Sequence, residues 1–242
     1  MVSPGRFTLS ELDVDGYSEG TWSCRVNGGD PVDVGPYDAG VIDLAATQDV
    51  VCSITNDDQA PGLIIEKTVV NDNGGDASVA DFGITTSATG TLDFTPDGGT
   101  DTIVYTSQTI AVDANTEYSL SELDVDGYSE GSWSCDGNNG GGGAFAAGAV
   151  TLDPGETVTC SITNDDDPAT IVLRKSVDGG DATQADFDPY IGQDLVAWDD
   201  VIDILPGTYT LVSAKSGFER TVTGNIVVTP GSLATASVAM SA

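Results

Sequence analysis

The stretch SELDVDGYSEGSWSC, residues 121–135, decides the fold because it occurs twice: residues 10–24 read SELDVDGYSEGTWSC. A second phrase, CSITNDD, follows each copy, at residues 52–58 and again at residues 160–166. The copies lie roughly 110 residues apart, which is the length of a small domain and far exceeds the period of a solenoid repeat. The chain is therefore predicted to be a string of separate domains.

The composition favours β-structure. The chain has 242 residues, of which 39% are hydrophobic and 30 are glycine, and no window shows sustained helical periodicity. Many Asp, Asn, Thr and Ser residues accompany the glycines, a mixture typical of short strands joined by turns. The length allows two or three small domains.

The charge excludes several classes of function. The formal net charge is −32, with seven Lys and Arg and no His. Nucleic acid and anionic membrane surfaces are excluded as partners because both require a basic face. A catalytic triad that uses histidine is impossible, and we expect no enzymatic activity. The acidity fits a soluble protein in salt water or one that binds divalent cations. No apolar segment is long enough to cross a bilayer, and residues 1–6 lack the apolar region of a signal peptide.

The repeats predict three units. We expect unit 1 at residues 1–60, unit 2 at residues 61–167 and unit 3 at residues 168–242. Short polar stretches that contain proline precede units 2 and 3 and read as linkers. An apolar strand that carries a lysine then begins each of these units, LIIEKTVV with Lys67 and TIVLRKSV with Lys175.

Only unit 2 looks complete. Seven or eight alternating segments in about a hundred residues predict an antiparallel β-sandwich. Unit 3 is a shorter, diverged version without cysteine, and its last strand has Met240 where unit 2 has Asn164. Unit 1 matches only the back half of the repeat. Either the sequence is a fragment of a longer protein, or another chain supplies the missing strands. The second case would assemble copies head-to-tail, because such a contact does not close.

Together, these motifs resemble the Cna B-type, prealbumin-like (SpaA-like) domains of bacterial cell-surface proteins and pilins. The resemblance rests on Lys67 in the first strand, the phrase YSLSE at residues 118–122, Gly127-Tyr128 and the final Asn164. It covers all of unit 2, the back half of unit 1 and, more loosely, unit 3. It implies an all-β fold of tandem antiparallel β-sandwiches, prealbumin-like or Ig-like, in an elongated array.

The resemblance also implies a self-made cross-link in unit 2. Many members of the family join the lysine to the asparagine through an isopeptide bond, helped by the glutamate, here Lys67, Asn164 and Glu122. Burial is consistent with this chemistry because it favours a neutral amine and a protonated carboxyl. The alternative is an ordinary strand lysine, a solvated glutamate and an asparagine in a turn.

The other two units hold only parts of this set. Unit 1 has the half-site Glu11 and Asn56 but no lysine strand. Unit 3 has Lys175, with Ser213 in place of the glutamate and Met240 in place of the asparagine. We expect no bond in unit 3.

The four cysteines occur as one pair in each long repeat, which predicts one disulfide per unit in an oxidising compartment. The pairs are Cys24 with Cys52 and Cys135 with Cys160. Their spacing, without histidine, matches no zinc site. Each disulfide would join two late strands and stabilise its unit by roughly 3 kcal/mol in the chain-entropy model.

Two acidic loops are candidates for calcium, and no other cofactor is expected. Their spacing does not match an EF-hand, and no helices flank them. The alternative is a solvated acidic turn. The candidate ligands are Asp13, Asp15, Glu19, Asp124, Asp126 and Glu130.

The sequence thus predicts a non-enzymatic structural module of an extracellular bacterial stalk, pilus-like filament or surface fibre. Its partners would be copies of itself placed head-to-tail, or other fibre subunits. The alternative function is a calcium-dependent adhesin that binds a glycan or a protein.

Overall fold

The computed structural model describes residues 3–137, 148–178, 180–191, 194–213 and 221–241, and within these it omits the side chains at 211–213, 221–223, 225 and 238–241. Every strand pair that it describes lies within one of the three units. No helix in the described part of the chain is long and apolar enough to cross a membrane. The expected all-β fold of tandem sandwiches is confirmed.

Unit 1 forms three small sheets. Its strands are β1 Gly5–Leu9, β2 Tyr17–Glu19, β3 Thr21–Val26, β4 Val32–Pro36, β5 Gly40–Leu44, β6 Val50–Ser53 and β7 Asn56–Asp58. The first sheet pairs β1 with β5, the second has the order β4-β3-β6, and the third pairs β2 with β7. Among the described residues of this unit, Cys24 is the only hydrophobic residue in the buried core.

Unit 2 is a sandwich of two sheets. Its strands are β8 Gly62–Val70, β9 Thr85–Thr86, β10 Phe94–Pro96, β11 Thr102–Ser107, β12 Ile110–Ala111, β13 Glu117–Ser121, β14 Tyr128–Glu130, β15 Ser134–Gly137, β16 Ala149–Thr151 and β17 Thr157–Asp166. One sheet has seven strands in the order β10-β11-β8-β17-β14, with β12 on β8 and β15 on β17. The other has the order β16-β13-β9, and the core lies between the two sheets.

The central strands β8 and β17 run parallel, with Lys67 opposite Ile162 and Val69 opposite Asn164. Side chains alternate between the two faces of a strand. In β8 this alternation buries every second residue completely, and the buried series is Leu63, Ile65, Lys67 and Val69. The period of the strand therefore places a lysine in line with three apolar core residues.

Unit 3 repeats this central arrangement with fewer strands. Its strands are β18 Ala169–Asp178, β19 Tyr190–Ile191, β20 Asp194–Leu195, β21 Val201–Ile204, β22 Gly207–Ser213, β23 Thr221–Val228 and β24 Leu233–Ser241, and a single 3-10 turn covers Gln184–Asp186. Strand β18 lies between β21 and a parallel β24. Val177 stands opposite Met240, as Val69 stands opposite Asn164.

The polar stretches that the sequence suggested as linkers are mostly strand. Asp58 pairs with Tyr17 at the end of β7, and Asp166 pairs with Tyr128 at the end of β17. Only residues 59–61 and 167–168 lie between the strands of successive units. The connections are short because the acidic residues extend the last strand of each unit.

Candidate functional site

The candidate site of unit 2 centres on the buried amine of Lys67. Strand β8 carries Lys67, the neighbouring β17 carries Asn164, and Glu122 directly follows β13 of the opposite sheet. The Lys67 Nζ donates to Glu122 Oε2 at 2.7 Å and to Asn164 Oδ1 at 2.5 Å. The side chains of Lys67 and Glu122 are fully buried, and Asn164 is 1% exposed. The sandwich therefore brings together all three residues that the sequence predicted for unit 2.

The electrostatics of the site shift the Lys67 amine towards its neutral form. Burial lowers the pKa of Lys67 because desolvation disfavours the charged form, while the hydrogen bond and the charge of Glu122 act in the opposite direction without restoring the ordinary value. The Phe82 ring lies beneath the amine, with its centroid 4.0 Å from Nζ. Glu122 Oε1 is buried without a hydrogen-bond partner among the described atoms. An unpaired buried carboxylate oxygen carries a desolvation cost that no described contact offsets.

Unit 1 contains the glutamate and the asparagine of the half-site, Glu11 and Asn56, but no lysine equivalent to Lys67 among its described residues. Glu19 lies opposite Asn56 in the β2–β7 pair, as Glu130 lies opposite Asn164 in the β14–β17 pair. Glu11 Oε1 is buried and has no partner within the described residues. Asn56 is exposed, because the part of unit 1 that the structure describes has no strand equivalent to β8.

Unit 3 retains the lysine and its aromatic neighbour. The Lys175 Nζ lies 4.5 Å from the centroid of Phe187, much as Lys67 lies above Phe82. It donates to the Ser176 carbonyl, and desolvation lowers its pKa. The side chains of Ser213 and Met240 lie outside the described residues, but the backbone register places Met240 where unit 2 has its asparagine. The absence of a bond in unit 3 stays a prediction.

Both cysteine pairs form disulfides. Cys24 bonds to Cys52 across β3 and β6, and Cys135 bonds to Cys160 across β15 and β17. In each case the two residues stand directly opposite each other in an antiparallel pair of strands. Each bond therefore fastens a late strand of its unit, β6 in unit 1 and β17 in unit 2, to an earlier neighbour.

The predicted calcium loops contain exposed carboxylates. Asp13 and Glu19 share a hydrogen bond, which together with the charge of Glu19 raises the pKa of Asp13. Glu19 is half-buried, whereas the other five candidate ligands, Asp13, Asp15, Asp124, Asp126 and Glu130, are exposed. Calcium at these loops stays a prediction.

A different acidic group comes together where unit 2 ends. Within the part of the chain that the structure describes, Asp72, Asp165 and Asp166 form the only group of three carboxylates whose oxygens lie within 4.8 Å of one another. Asp166 is 2% exposed and accepts backbone N–H groups from Asn73 (3.0 and 3.1 Å) and Gly75 (2.6 Å). This anchoring role was missed in the sequence, because Asp166 lies in an acidic run that resembles a linker.

Tyr128 is a second structural residue beside the site. Its hydroxyl donates to Asn71 Oδ1 and accepts from the Ala77 N–H, and its ring meets Phe82 edge-on with the centroids 5.4 Å apart. Tyr128 thereby holds the aromatic ring that lies under the Lys67 amine. The repeated Gly-Tyr pair was the signal for it in the sequence.

The order of these motifs and the sandwich agree with a known family. The family model described as "Prealbumin-like fold domain" matches residues 1–54 and 58–162. The chain belongs to this family. Prealbumin-like domains of this type are structural modules typical of bacterial surface proteins, and they are typically non-enzymatic.

Comparisons with individual proteins add little to the family assignment. No curated protein matches this prealbumin-like chain. Among solved structures, it is similar to one titled "The Bacillus anthracis TIE protein", with 13% sequence identity and a TM-score of 0.36. The match covers 98% of this chain and 51% of that one, so the chain spans about half the length of the solved structure.

Proposed function

We propose that the chain is a non-enzymatic segment of an extracellular bacterial stalk, filament or surface fibre, in which unit 2 forms an isopeptide bond between Lys67 and Asn164. The observation that carries this proposal is the fully buried Lys67 amine, held between a carboxyl and a side-chain amide. A lysine buried only as part of an ion pair would require neither the amide nor the unpaired oxygen on Glu122.

The chemistry balances without a cofactor. Transfer of a proton from Lys67 to Glu122 leaves a neutral amine, which attacks the Asn164 side-chain carbonyl carbon. The new Nζ–Cγ bond forms as the Cγ–Nδ2 bond breaks, and ammonia leaves. Glu122 carries the proton that the amine loses to the departing nitrogen. The fold performs this reaction once, by proximity, and the product is an amide that links β8 to β17.

Intact mass tests the proposal. We expect the denatured, reduced chain to weigh one ammonia less than its sequence, and a digest to contain one cross-linked peptide joining Lys67 to Asn164. The Lys67→Arg variant should have the full sequence mass, because arginine stays protonated. A wild-type chain with the plain sequence mass would eliminate the cross-link.

For unit 1 we propose completion by a front half of the β8–β12 type, carried by another polypeptide of the fibre. Three observations support this acceptor role: the unpaired Glu11 carboxylate oxygen, the exposed Asn56, and the exposure of the apolar residues Val32 (61%) and Val51 (65%). In unit 2, the equivalent edge of β17 is covered by β8.

The probe for this second proposal is a polypeptide with the sequence of residues 61–112, added to the full chain. We expect a new species equal to the sum of the two masses less one ammonia, in addition to the bond in unit 2. A probe with arginine at the position of Lys67, and the chain variant Glu11→Gln, should give no covalent product. Failure of the wild-type probe, with unit 2 still cross-linked, would eliminate the acceptor role and leave the first proposal standing.

The alternative function, a calcium-dependent adhesin, has less support. The only group of three carboxylates that comes together in the described structure includes Asp166, whose oxygens already accept backbone N–H groups. That arrangement has a structural role without an ion. Calcium titration monitored by the melting temperature tests the alternative, because a ligand of the folded state raises that temperature.

A further inference from the structure

The two boundaries between units are built from the same contacts. At the first, Gly16 O accepts the Gln59 N–H (2.8 Å), and Gln59 O accepts the Gly155 N–H (2.7 Å). The Gln59 side chain also donates to Ser18 Oγ (2.9 Å). A linker residue thus bridges a loop of unit 1 and the turn that precedes the last strand of unit 2.

The second boundary repeats these bonds between units 2 and 3. Gly127 O accepts the Asp167 N–H (2.8 Å), and Asp167 O accepts the Gly231 N–H (3.1 Å). Ser129 Oγ donates to Asp167 Oδ1 (2.5 Å). Gln59 and Asp167, like Ser18 and Ser129, occupy equivalent places in the repeat. Because the same hydrogen bonds recur at both boundaries, each boundary is a specific contact between units. We call these contacts, centred on Gln59 and on Asp167, the first and second joints.

Glycine is required on both sides of each joint. A Cβ on Gly155 would lie 2.7 Å from the Gly16 Cα, and a Cβ on Gly231 would lie 2.7 Å from the Gly127 Cα. A Cβ on Gly127 would lie 2.8 Å from the Pro230 carbonyl oxygen, and one on Gly16 would overlap the equivalent oxygen of Pro154. All these neighbours are backbone atoms, which cannot rotate away. Any side chain at these four positions would push the two units apart.

Unit 1 has the same turn with a different residue at the tip. Thr47 has φ +69°, against +69° for Gly155 and +63° for Gly231. The closing bond from Gln48 N to Ala45 O matches those from residue 156 to 153 and from residue 232 to 229. Thr47 therefore holds a backbone conformation that disfavours a β-branched residue, and its side chain stands where the other turns have none.

We propose that this turn is a docking surface between prealbumin-like units, whose partner is the Asp-Val-Asp-Gly-Tyr loop of the preceding unit. Glycine at the tip of the turn leaves space for that loop. In unit 1 the side chain of Thr47 occupies this space, so the turn of unit 1 cannot bind such a loop. The joint fixes the orientation of successive units in the chain and acts independently of the cross-link in unit 2. Any contact between unit 1 and another unit of a fibre must therefore use a surface other than the turn that carries Thr47.

Hydrogen exchange in the full chain tests the joint. In Gly155→Thr, which copies the unit 1 turn, the Gln59 amide should lose protection by about tenfold or more, as in a local opening. The Asp167 amide, at the second joint, should keep its protection. Amides of β8 and β17 report in the same experiment that unit 2 remains folded.

Gly28→Thr is the matched control, since Gly28 has φ +73° and no atom of the described residues lies within 4 Å of a Cβ placed there. It carries similar backbone strain, and both joints should stay protected. Gly16→Ala should disrupt the first joint from the side of unit 1. It therefore tests the joint even if Gly155→Thr prevents unit 2 from folding. Full protection of Gln59 in both Gly155→Thr and Gly16→Ala would overturn the proposal.

Discussion

Replacing Glu122 by glutamine should uncouple folding of unit 2 from cross-linking. Glutamine keeps the shape of the side chain but cannot exchange a proton with Lys67, so the variant should retain the full mass of its sequence. The missing bond would close a loop of 97 residues, the separation of Lys67 and Asn164. In the chain-entropy model, a cross-link over that length contributes about 4.7 kcal/mol. For a domain of this size, the loss lowers the melting temperature by about 20 °C or more.

The assay combines intact mass with calorimetry of the full chain. Glu122→Gln also removes the negative partner of a buried lysine, so a second variant must separate that effect. Asn164→Ala keeps the ion pair and removes the carbonyl that Lys67 would attack, and it should lose a similar amount of stability. Glu11→Gln, at the equivalent place in unit 1, should leave the mass loss unchanged. If Glu122→Gln still loses ammonia, or if neither unit 2 variant shifts its melting transition, the reasoning is refuted.

Three further predictions concern stability, each measured by denaturant unfolding. Thr47→Gly should stabilise unit 1 by about 0.5–1 kcal/mol, because glycine adopts positive φ without strain; destabilisation would contradict this explanation. Asp166→Asn should cost about 2 kcal/mol through its weakened bonds to backbone N–H groups, whereas the exposed Asp165→Asn should cost little; equal effects would contradict the anchoring role. Replacing Cys135 and Cys160 together by serine should cost about 3.5 kcal/mol for a loop of 25 residues, and no loss would contradict the chain-entropy account.

The fold and most of the unit 2 site could be predicted from the sequence because both leave local or periodic patterns in it. The alternation in β8 predicts a strand, and the repeat places Lys67, Glu122 and Asn164 in a recognisable order. Burial of Lys67 does not follow from the strand pattern alone, since a lysine in a strand is usually exposed. The decisive fact is that it shares its face of β8 with Leu63 and Ile65.

The joints could not be predicted, because they depend on how whole units approach each other. Gly16 and Gly127 lie within acidic loops, where a glycine already has an explanation as a turn former. The repeated Pro-Gly pairs at residues 154–155 and 230–231 were the available signal. Without the neighbouring unit, nothing indicates that these turns face a glycine.

The parallel pairing of β8 with β17 has a mechanical consequence. The first and last strands of unit 2 are neighbours that point the same way, so tension applied to the two ends of the unit pulls them in opposite directions. Their hydrogen bonds are then loaded in shear and must break together instead of peeling apart one by one. A covalent link between Lys67 and Asn164 would carry the load directly across these strands. The 97 residues between the cross-linked side chains could then not be pulled out under tension. The chain would extend by about 330 Å less than it would without the bond.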